Sequence, residues 1–395
     1  MNLYDEALKA HKEWKGKIKQ ENKAPIDSRE ELSVAYTPGV AAPCLAIKED
    51  REKVYDYTWK GNLVAVITDG SAVLGLGDIG AEASLPVMEG KCALFNRFAG
   101  LNAVPILLDT KDEEEIIKTI THIAPSFGGI NLEDISAPRC VRIERELQKR
   151  LSIPVFHDDQ HGTSIVLGAA LINSLKLVKK DFKDIKVTMI GTGAAGSSII
   201  KMLYAFGVRD IYAFNSRGVI RGTYEDELLN ELSDLTNPRG LDVSLEESMM
   251  GSDVFIGVSA PGLITKEMVK SMNDNAMVFS MANPEPEISY LDAKEAGARV
   301  VGTGRSDAPN QVNNLLAFPG LLKGAMEARV QITDEIKMEA SRAIAKLIGE
   351  DELRDDYVIV DPAAGPVRVV GVTVRGRFDR QVMAYANIHR QGKPN

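Results

Sequence analysis

The chain has 395 residues, 44% hydrophobic and 26% charged, an ordinary globular composition with room for two or three domains and a large core. Its 56 acidic against 47 basic residues give a net charge of −9, which argues against a nucleic-acid-binding surface. Cys44, Cys92 and Cys140 lie far apart and outside C-x-x-C pairs, so neither a disulfide framework nor a thiolate zinc site is expected. With no secretory h-region and no apolar run of membrane-spanning length, the reading is a soluble cytoplasmic protein.

Residues 1–20 read as a helix, and 33–47, punctuated by Pro38, Gly39 and Pro43, as a loop leading to a short helix. The run 63-LVAVITDG-70 reads as a buried strand ending at a glycine, and 75-GLGDIG-80 leads into a helix over 82–98. A strand over 103–109, an acid-led helix over 111–122, a strand-like run 129-GINLED-134 and a helix over 138–150 follow. Then 154-PVFHDDQHGTSIVLGAALI-172 places two adjacent carboxylates between two histidines, after a short strand and ahead of a long apolar helix from 163 to 179. A second alternation opens with 186-KVTMIGTGAAGSSIIKMLYAFG-207, and further strand candidates are 209–218, 253–259, 276–283 and 299–304. After Pro319 the chain reads as helical to about residue 349, while 356–378 alternates Val with Arg or Gly and carries no chemical signal. Such alternation predicts α/β architecture with parallel strands. The expected arrangement is an N-terminal catalytic α/β domain over 1–160 and a Rossmann-type doubly wound dinucleotide-binding domain over 161–313. A mostly helical segment, 314–395, is expected to pack back on the catalytic domain.

The second alternation carries the clearest chemistry. Gly191, Gly193 and Gly196, with Ala194 and Ala195 between them, form G-x-G-x-x-G directly after an apolar strand and before a helix. Such glycines permit a tight turn and close approach to a pyrophosphate, which the helix N-terminus then binds. The next strand should end in an acidic residue for the ribose hydroxyls; here it ends in Asn215, Ser216 and Arg217. Asparagine does not repel a 2′-phosphate, and Ser216 and Arg217 suit one, so NADP is favoured over NAD.

Glu133, Asp134 and Asp159 each end a strand-like run, and in α/β proteins such ends converge on one crevice. Three carboxylates meeting there suit Mg²⁺ or Mn²⁺. His157 and His161 invite comparison with the zinc-hydrolase H-E-x-x-H, but Pro154 upstream and Gly162 immediately after argue against a helix through both. Lys91 precedes an apolar helical stretch. Beside a cation, a partly buried lysine loses proton affinity and serves as a general base, with Tyr36 a candidate acid.

Read together, 36-YTPGVAAPC-44, 68-TDGSAVLGLGDIG-80, 89-EGKCALF-95, 133-ED-134, 156-FHDDQHGT-163, 191-GTGAAG-196, 282-ANPEPEI-288 and 312-VNNLLAFPG-320 resemble the malic enzymes of the small bacterial or archaeal type, from about residue 10 to residue 350. The resemblance implies metal-dependent oxidative decarboxylation of (S)-malate to pyruvate and CO₂ with reduction of NAD(P), in a homodimer or larger homo-oligomer. It implies Lys91 as base, Tyr36 as the acid that protonates enolpyruvate, and Glu133, Asp134 and Asp159 as metal ligands, with Asp158 orienting Lys91 or the ligand set. Asn283 and Asn313 or Asn314 resemble the residues that hold the malate carboxylates and the nicotinamide side.

Two departures stand out. Larger eukaryotic members carry arginine in D-G-E-R where this chain has Ala72, so Ser71 or a residue from elsewhere must bind a malate carboxylate. The tail beyond about 355 lacks the helical ending expected of the family, and no phosphotransacetylase-like extension is seen. The rival readings are a malolactic enzyme holding NAD tightly, a dinucleotide-responsive regulator with a silent site, and a zinc hydrolase.

Overall fold

The computed structural model describes residues 2–73 and 75–361. Most of the Val-rich run 356–378, and the end of the segment 314–395, lie outside the described residues.

Four short helices open the chain: α1 (Leu3–Trp14), α2 (Arg29–Ala35), α3 (Ala41–Glu49) and α4 (Val54–Tyr57). Local signals start them. Asn2 caps α1 by accepting from Asp5 N–H, and Ser28 and Glu31 form a reciprocal capping box on α2. None of the four buries a side chain.

The first alternation runs β1 (Leu63–Thr68), α5 (Ala81–Ala99), β2 (Asn102–Leu107), α6 (Glu113–Ile123), β3 (Gly129–Leu132), α7 (Arg139–Arg150), β4 (Val155–His157) and α8 (Asp158–Val178). Its strands form one parallel sheet in the order β2-β1-β3-β4. Every residue of β1 is buried, as expected of a parallel strand covered on both faces. Because β1 lies between β2 and β3, the loops after β1, β3 and β4 open at one edge of the sheet, where Asp69, Glu133, Asp134 and Asp158 lie.

The second alternation runs β5 (Lys186–Ile190), α9 (Ala194–Phe206), β6 (Asp210–Asn215), β7 (Gly218–Val219), α10 (Glu227–Leu235), α11 (Leu245–Met249), β8 (Val254–Gly257), α12 (Lys266–Lys270), β9 (Met277–Ser280), α13 (Tyr290–Glu295) and β10 (Val300–Thr303). The strand order is β10-β9-β8-β5-β6-β7, parallel except for the short β7. The order reverses at β5, so a crevice opens beyond the carboxyl ends of β5 and β8. This is a doubly wound α/β fold.

Three expectations are corrected. The long helix starts at Asp158 rather than 163; His157 is its N-cap, and His161 and Gly162 both lie inside it. Gly162 does not break the helix because it makes room for a neighbour: a Cβ there would fall 2.1 Å from Asp158 Oδ1. The region after Pro319 is two helices, α14 (Phe318–Ala328) and α15 (Asp334–Ala345), separated where Arg329 adopts φ 54°. Helix α8 is also long and apolar enough to cross a membrane, contrary to the sequence reading, but 72% of that stretch is buried within this fold. Gly168 lets α8 approach its neighbours, since a Cβ there would meet Met202 Sδ of α9 and Ser341 Oγ of α15, both at 2.9 Å.

Candidate active site

Four carboxylates and one ammonium meet at the open edge of the first sheet. Lys91, on the buried face of α5, places Nζ 2.6 Å from Asp158 Oδ2 and 2.7 Å from Glu133 Oε1. The same nitrogen lies 4.1 Å from the ring centroid of Phe318. Asn131 Nδ2 donates to Glu133 Oε2 at 2.8 Å, and Asn314 Nδ2 to Asp158 Oδ2 at 2.6 Å. Asp159 Oδ2 accepts the backbone N–H of Asp134 at 2.7 Å, which ties the end of β3 to the start of α8.

Glu133, Asp134 and Asp159 each offer an oxygen within 4.8 Å of the others. That span and an all-oxygen donor set fit one hard divalent cation such as Mg²⁺ or Mn²⁺. Electrostatics points the same way. Burial pushes Glu133 and Asp158 up to about 7 and Asp159 up to about 6, against the pull of Lys91. A single ammonium therefore leaves this cluster short of positive charge.

The expected behaviour of Lys91 needs correction. Burial alone lowers its proton affinity, but Asp158, Glu133 and Asp159, in that order, raise it well above that of an ordinary lysine. The loss of proton affinity foreseen for a lysine beside a cation requires that some of these carboxylates be neutralised first.

The histidines lie behind the cluster. His161 Nε2 is 2.8 Å from Glu144 Oε2, and its Nδ1 is 3.0 Å from Ser198 Oγ. His157 is fully buried, and burial depresses it to about 4, so the ring is neutral near pH 7. Neither belongs to the metal-compatible group, which removes the zinc-hydrolase reading.

Other candidate residues are placed as follows. Tyr36 caps the end of α2, 67% exposed, and the structure does not bring it into the cluster. Ser71 Oγ donates to Asp69 Oδ1 at 2.6 Å and accepts from Ser136 N–H and Arg139 Nη2, so it is already engaged. Asn313 Oδ1 caps the turn after it by accepting from Leu315 N–H at 3.0 Å, while Asn314 faces Asp158. Asn283, after β9, packs against Gly304, where a Cβ would lie 2.9 Å from its Nδ2.

At the crevice of the second sheet, Gly191 adopts φ 101°, and a Cβ there would meet Val258 O at 2.6 Å. A Cβ on Gly196 would fall 2.0 Å from Gly191 O, whereas one on Gly193 would meet nothing within 4 Å. Ala194 and Ala195 begin α9. The turn is thus closed towards the sheet and open in front of the helix N-terminus, where a pyrophosphate would lie. Asn215 Oδ1 accepts Arg217 N–H at 2.8 Å, and Ser216 and Arg217 are exposed.

Two family models cover most of the chain: malic enzyme, N-terminal domain, over residues 15–148, and malic enzyme, NAD binding domain, over residues 160–377. The chain belongs to the malic enzyme family. It is similar to a bifunctional malic/malolactic enzyme of Bacillus subtilis, 55% identical over 92% of this chain and 89% of that protein. An NAD-dependent malic enzyme of Geobacillus stearothermophilus is 54% identical over 87% of this chain and 72% of its own. The crystal structure of an NAD-dependent malic enzyme from Thermotoga maritima superimposes with a TM-score of 0.87 at 47% identity, covering 90% of this chain and 94% of that one. This malic enzyme is accordingly an oxidoreductase using a nicotinamide dinucleotide and a divalent metal, and its relatives include both NAD- and NADP-dependent members.

Sequence reasoning passed over three residues that build the site of this malic enzyme. Glu144 Oε1 accepts His157 N–H at 2.9 Å and its Oε2 accepts from Gln160 Nε2 at 3.1 Å, bracing the first turn of α8 behind Asp158 and Asp159. Burial would raise Glu144, but His161, then Lys337 and His157, bring it down to about 2. Its signal was a charge within the apolar stripe of α7, four residues after Cys140 and three before Leu147. Asn131 was the polar residue in an otherwise apolar, fully buried strand. Arg139, which pairs with Asp69 and Ser71 Oγ, had no local signal, because its partners are about 70 residues away.

Proposed function

We propose that this chain oxidises and decarboxylates (S)-malate to pyruvate and CO₂ while reducing NAD(P)⁺, and that it also decarboxylates oxaloacetate. The observation that carries the assignment of roles is the contact of one buried ammonium, Lys91, with both Glu133 and Asp158. Glu133, Asp134 and Asp159 are the residues that would hold the cation, which when bound supplies Lewis-acid polarisation of substrate oxygens. Gly191–Gly196 would hold the dinucleotide, which when bound supplies the hydride acceptor.

With Glu133 and Asp159 committed as ligands, Asp158 remains as the counter-ion of Lys91. The lysine then gives up its proton more readily and accepts the one from the substrate hydroxyl as hydride leaves the same carbon. Asp158, whose Oδ2 also accepts from Asn314 Nδ2, fixes the direction of the Lys91 nitrogen. Asn283 and Asn314 provide neutral donors for the substrate carboxylates. Tyr36 protonates the enol carbon after CO₂ has left.

For Tyr36 we propose delivery across a homodimer. The N-terminal arm leaves Leu3, Tyr4, Leu8, Leu32, Val34 and Tyr36 exposed, an apolar surface consistent with burial against a second copy. The division of labour follows the two sheets: a catalytic and metal-binding domain over 1–160, a dinucleotide domain over 161–313, and a last segment from 314 onward that returns to the catalytic domain. That return is supported by the edge contact of Phe318 with Phe95 at 4.9 Å. Free Cys44, Cys92 and Cys140 fit a cytoplasmic location.

The deciding experiment follows reduced-nicotinamide absorbance with (S)-malate and Mn²⁺, with NAD and NADP in parallel and pyruvate and lactate assayed. Cofactor reduction with matching pyruvate is expected. Lactate without net reduction would favour the malolactic reaction, which the Bacillus subtilis relative is also named for. Silence in both assays would favour a regulator.

A further inference from the structure

One buried carboxylate takes no part in the chemistry above. Glu287 has 0% exposure and sits beneath the carboxyl ends of β8 and β9. Its Oε1 accepts Ser259 N–H at 2.8 Å, and its Oε2 accepts Ser280 Oγ at 2.9 Å and Ala282 N–H at 3.2 Å. Ser280 Oγ itself accepts Ile288 N–H at 3.0 Å, which commits the hydroxyl proton to Glu287. The carboxylate therefore faces neutral donors only, and it forms no ion pair among the described residues. The fold makes room for it deliberately: a Cβ on Gly257 would lie 2.3 Å from Glu287 Cδ.

A buried anion satisfied by neutral donors carries a field that nothing nearby cancels. The place where that field acts follows from the topology. Val258 N–H bonds Ile190 O at 3.0 Å, and Val258 O abuts the first glycine of the dinucleotide turn. In a doubly wound sheet the adenosine half of the cofactor lies over the strand after the glycine turn, here β6. The nicotinamide half lies on the other side of the switch point, over β8 and β9. Glu287 braces the loops after both of those strands.

We propose that Glu287 is a specificity-determining residue for the redox state of the cofactor. The oxidised nicotinamide ring carries one positive charge, and accepting a hydride makes it neutral, so a fixed negative charge below the ring stabilises the oxidised form selectively. Malate oxidation thus begins with the favoured cofactor form and ends with the one more readily released. This inference rests on Gly191–Gly196 being the dinucleotide turn.

The test measures dissociation constants of oxidised and reduced cofactor on the full chain, by calorimetry and nicotinamide fluorescence, without malate or metal. Glu287→Gln keeps the volume and removes the charge, but sets its amide NH₂ against a donor, so both affinities can fall and only their ratio is read. It is expected to shift the ratio of the oxidised to the reduced dissociation constant upward by about tenfold, the size expected of one charge near the ring at an effective dielectric of about 20. Glu287→Asp keeps the charge and is expected to leave that ratio within about twofold of wild type, even if both affinities fall. Equal weakening of both forms by Glu287→Gln would reduce the residue to a structural brace and overturn the proposal. Should that variant not fold, the wild type decides: reduced cofactor bound more than about tenfold tighter than oxidised contradicts a selective field. Failure of the wild type to bind either form would remove the dinucleotide site, and this inference with it.

Discussion

The ammonium of Lys91 lies 2.6 Å from Asp158 Oδ2, and both side chains are almost wholly buried, at 8% and 0% exposure. Asp158 contacts the lysine yet lies outside the metal-compatible set of Glu133, Asp134 and Asp159. Asp158→Asn should lower kcat by roughly 10²–10⁴-fold, the usual range for loss of a working general base. Mn²⁺ affinity and cofactor affinity should be retained. Lys91→Ala should abolish malate oxidation with cofactor binding intact, while Asp159→Ala should lose metal binding and activity together. Steady-state kinetics with Mn²⁺ titration separates these outcomes. Full turnover by Asp158→Asn would show that Lys91 needs no counter-ion.

The same cluster makes stability depend on pH. Burial holds Glu133 and Asp158 at about 7 and Asp159 at about 6, above the values such groups have in an unfolded chain. The metal-free fold therefore binds more protons than the unfolded chain does. The associated stability is complete below the unfolded pKa and is lost as pH rises towards 7. Buried His157, depressed to about 4, acts in the opposite direction as pH falls below its unfolded value, so metal-free Tm alone mixes the two effects. Their difference isolates the cluster: Mn²⁺ should raise Tm more at about pH 7.5 than at about pH 5.5. An equal increment at both would mean that the carboxylates are not the cation's ligands.

Both glycine-rich turns and the acidic strand ends were legible in the sequence because their signals are local: an apolar run, then a residue type that only a turn or a charge requires. The start of α8 was not. Gly162 reads as a helix breaker when counted alone, and the packed side chains of Asp158 and Asn314 explain why a helix carries glycine there. The proton affinity of Lys91 was hidden for a related reason, since its counter-ions arrive from β3 and from the first turn of α8, 42 and 67 residues away. Arg139 belongs to the same class. No local signal places Tyr36 where the structure does, at the exposed end of α2.

Gly162 also yields a sharp test. Alanine in a helix interior ordinarily gains about 1 kcal/mol over glycine. Here the added methyl would meet Asp158 Oδ1 at 2.1 Å and Asn314 Cβ at 2.7 Å. Gly162→Ala is therefore expected to move Asp158 away from Lys91 and to lower kcat about 100-fold, the typical cost of roughly 1 Å of misplacement. Binding of NAD(P) to the distant turn should be unaffected. Wild-type kcat in this variant would show that the carboxylate has freedom the packing does not suggest.

Choice between NAD and NADP turns on the end of β6. The position where a carboxylate would select the free ribose hydroxyls is Asn215, whose Oδ1 is occupied by Arg217 N–H at 2.8 Å. The Arg217 side chain is exposed and forms no ion pair among the described residues, whereas neighbouring Arg221 is tied to Asp242 at 2.5 Å. Arg217 is thus the guanidinium at this turn that remains available to a 2′-phosphate. Wild type should prefer NADP modestly, and Arg217→Glu should lower the ratio of kcat/KM for NADP to that for NAD by at least about tenfold, a loss of roughly 1.4 kcal/mol. Because the Lys91–carboxylate cluster sits at the edge of the first sheet rather than at the end of β6, KM for malate should stay near wild type in both assays. An unchanged cofactor ratio would show that the 2′-phosphate, if bound, is held by residues other than Arg217.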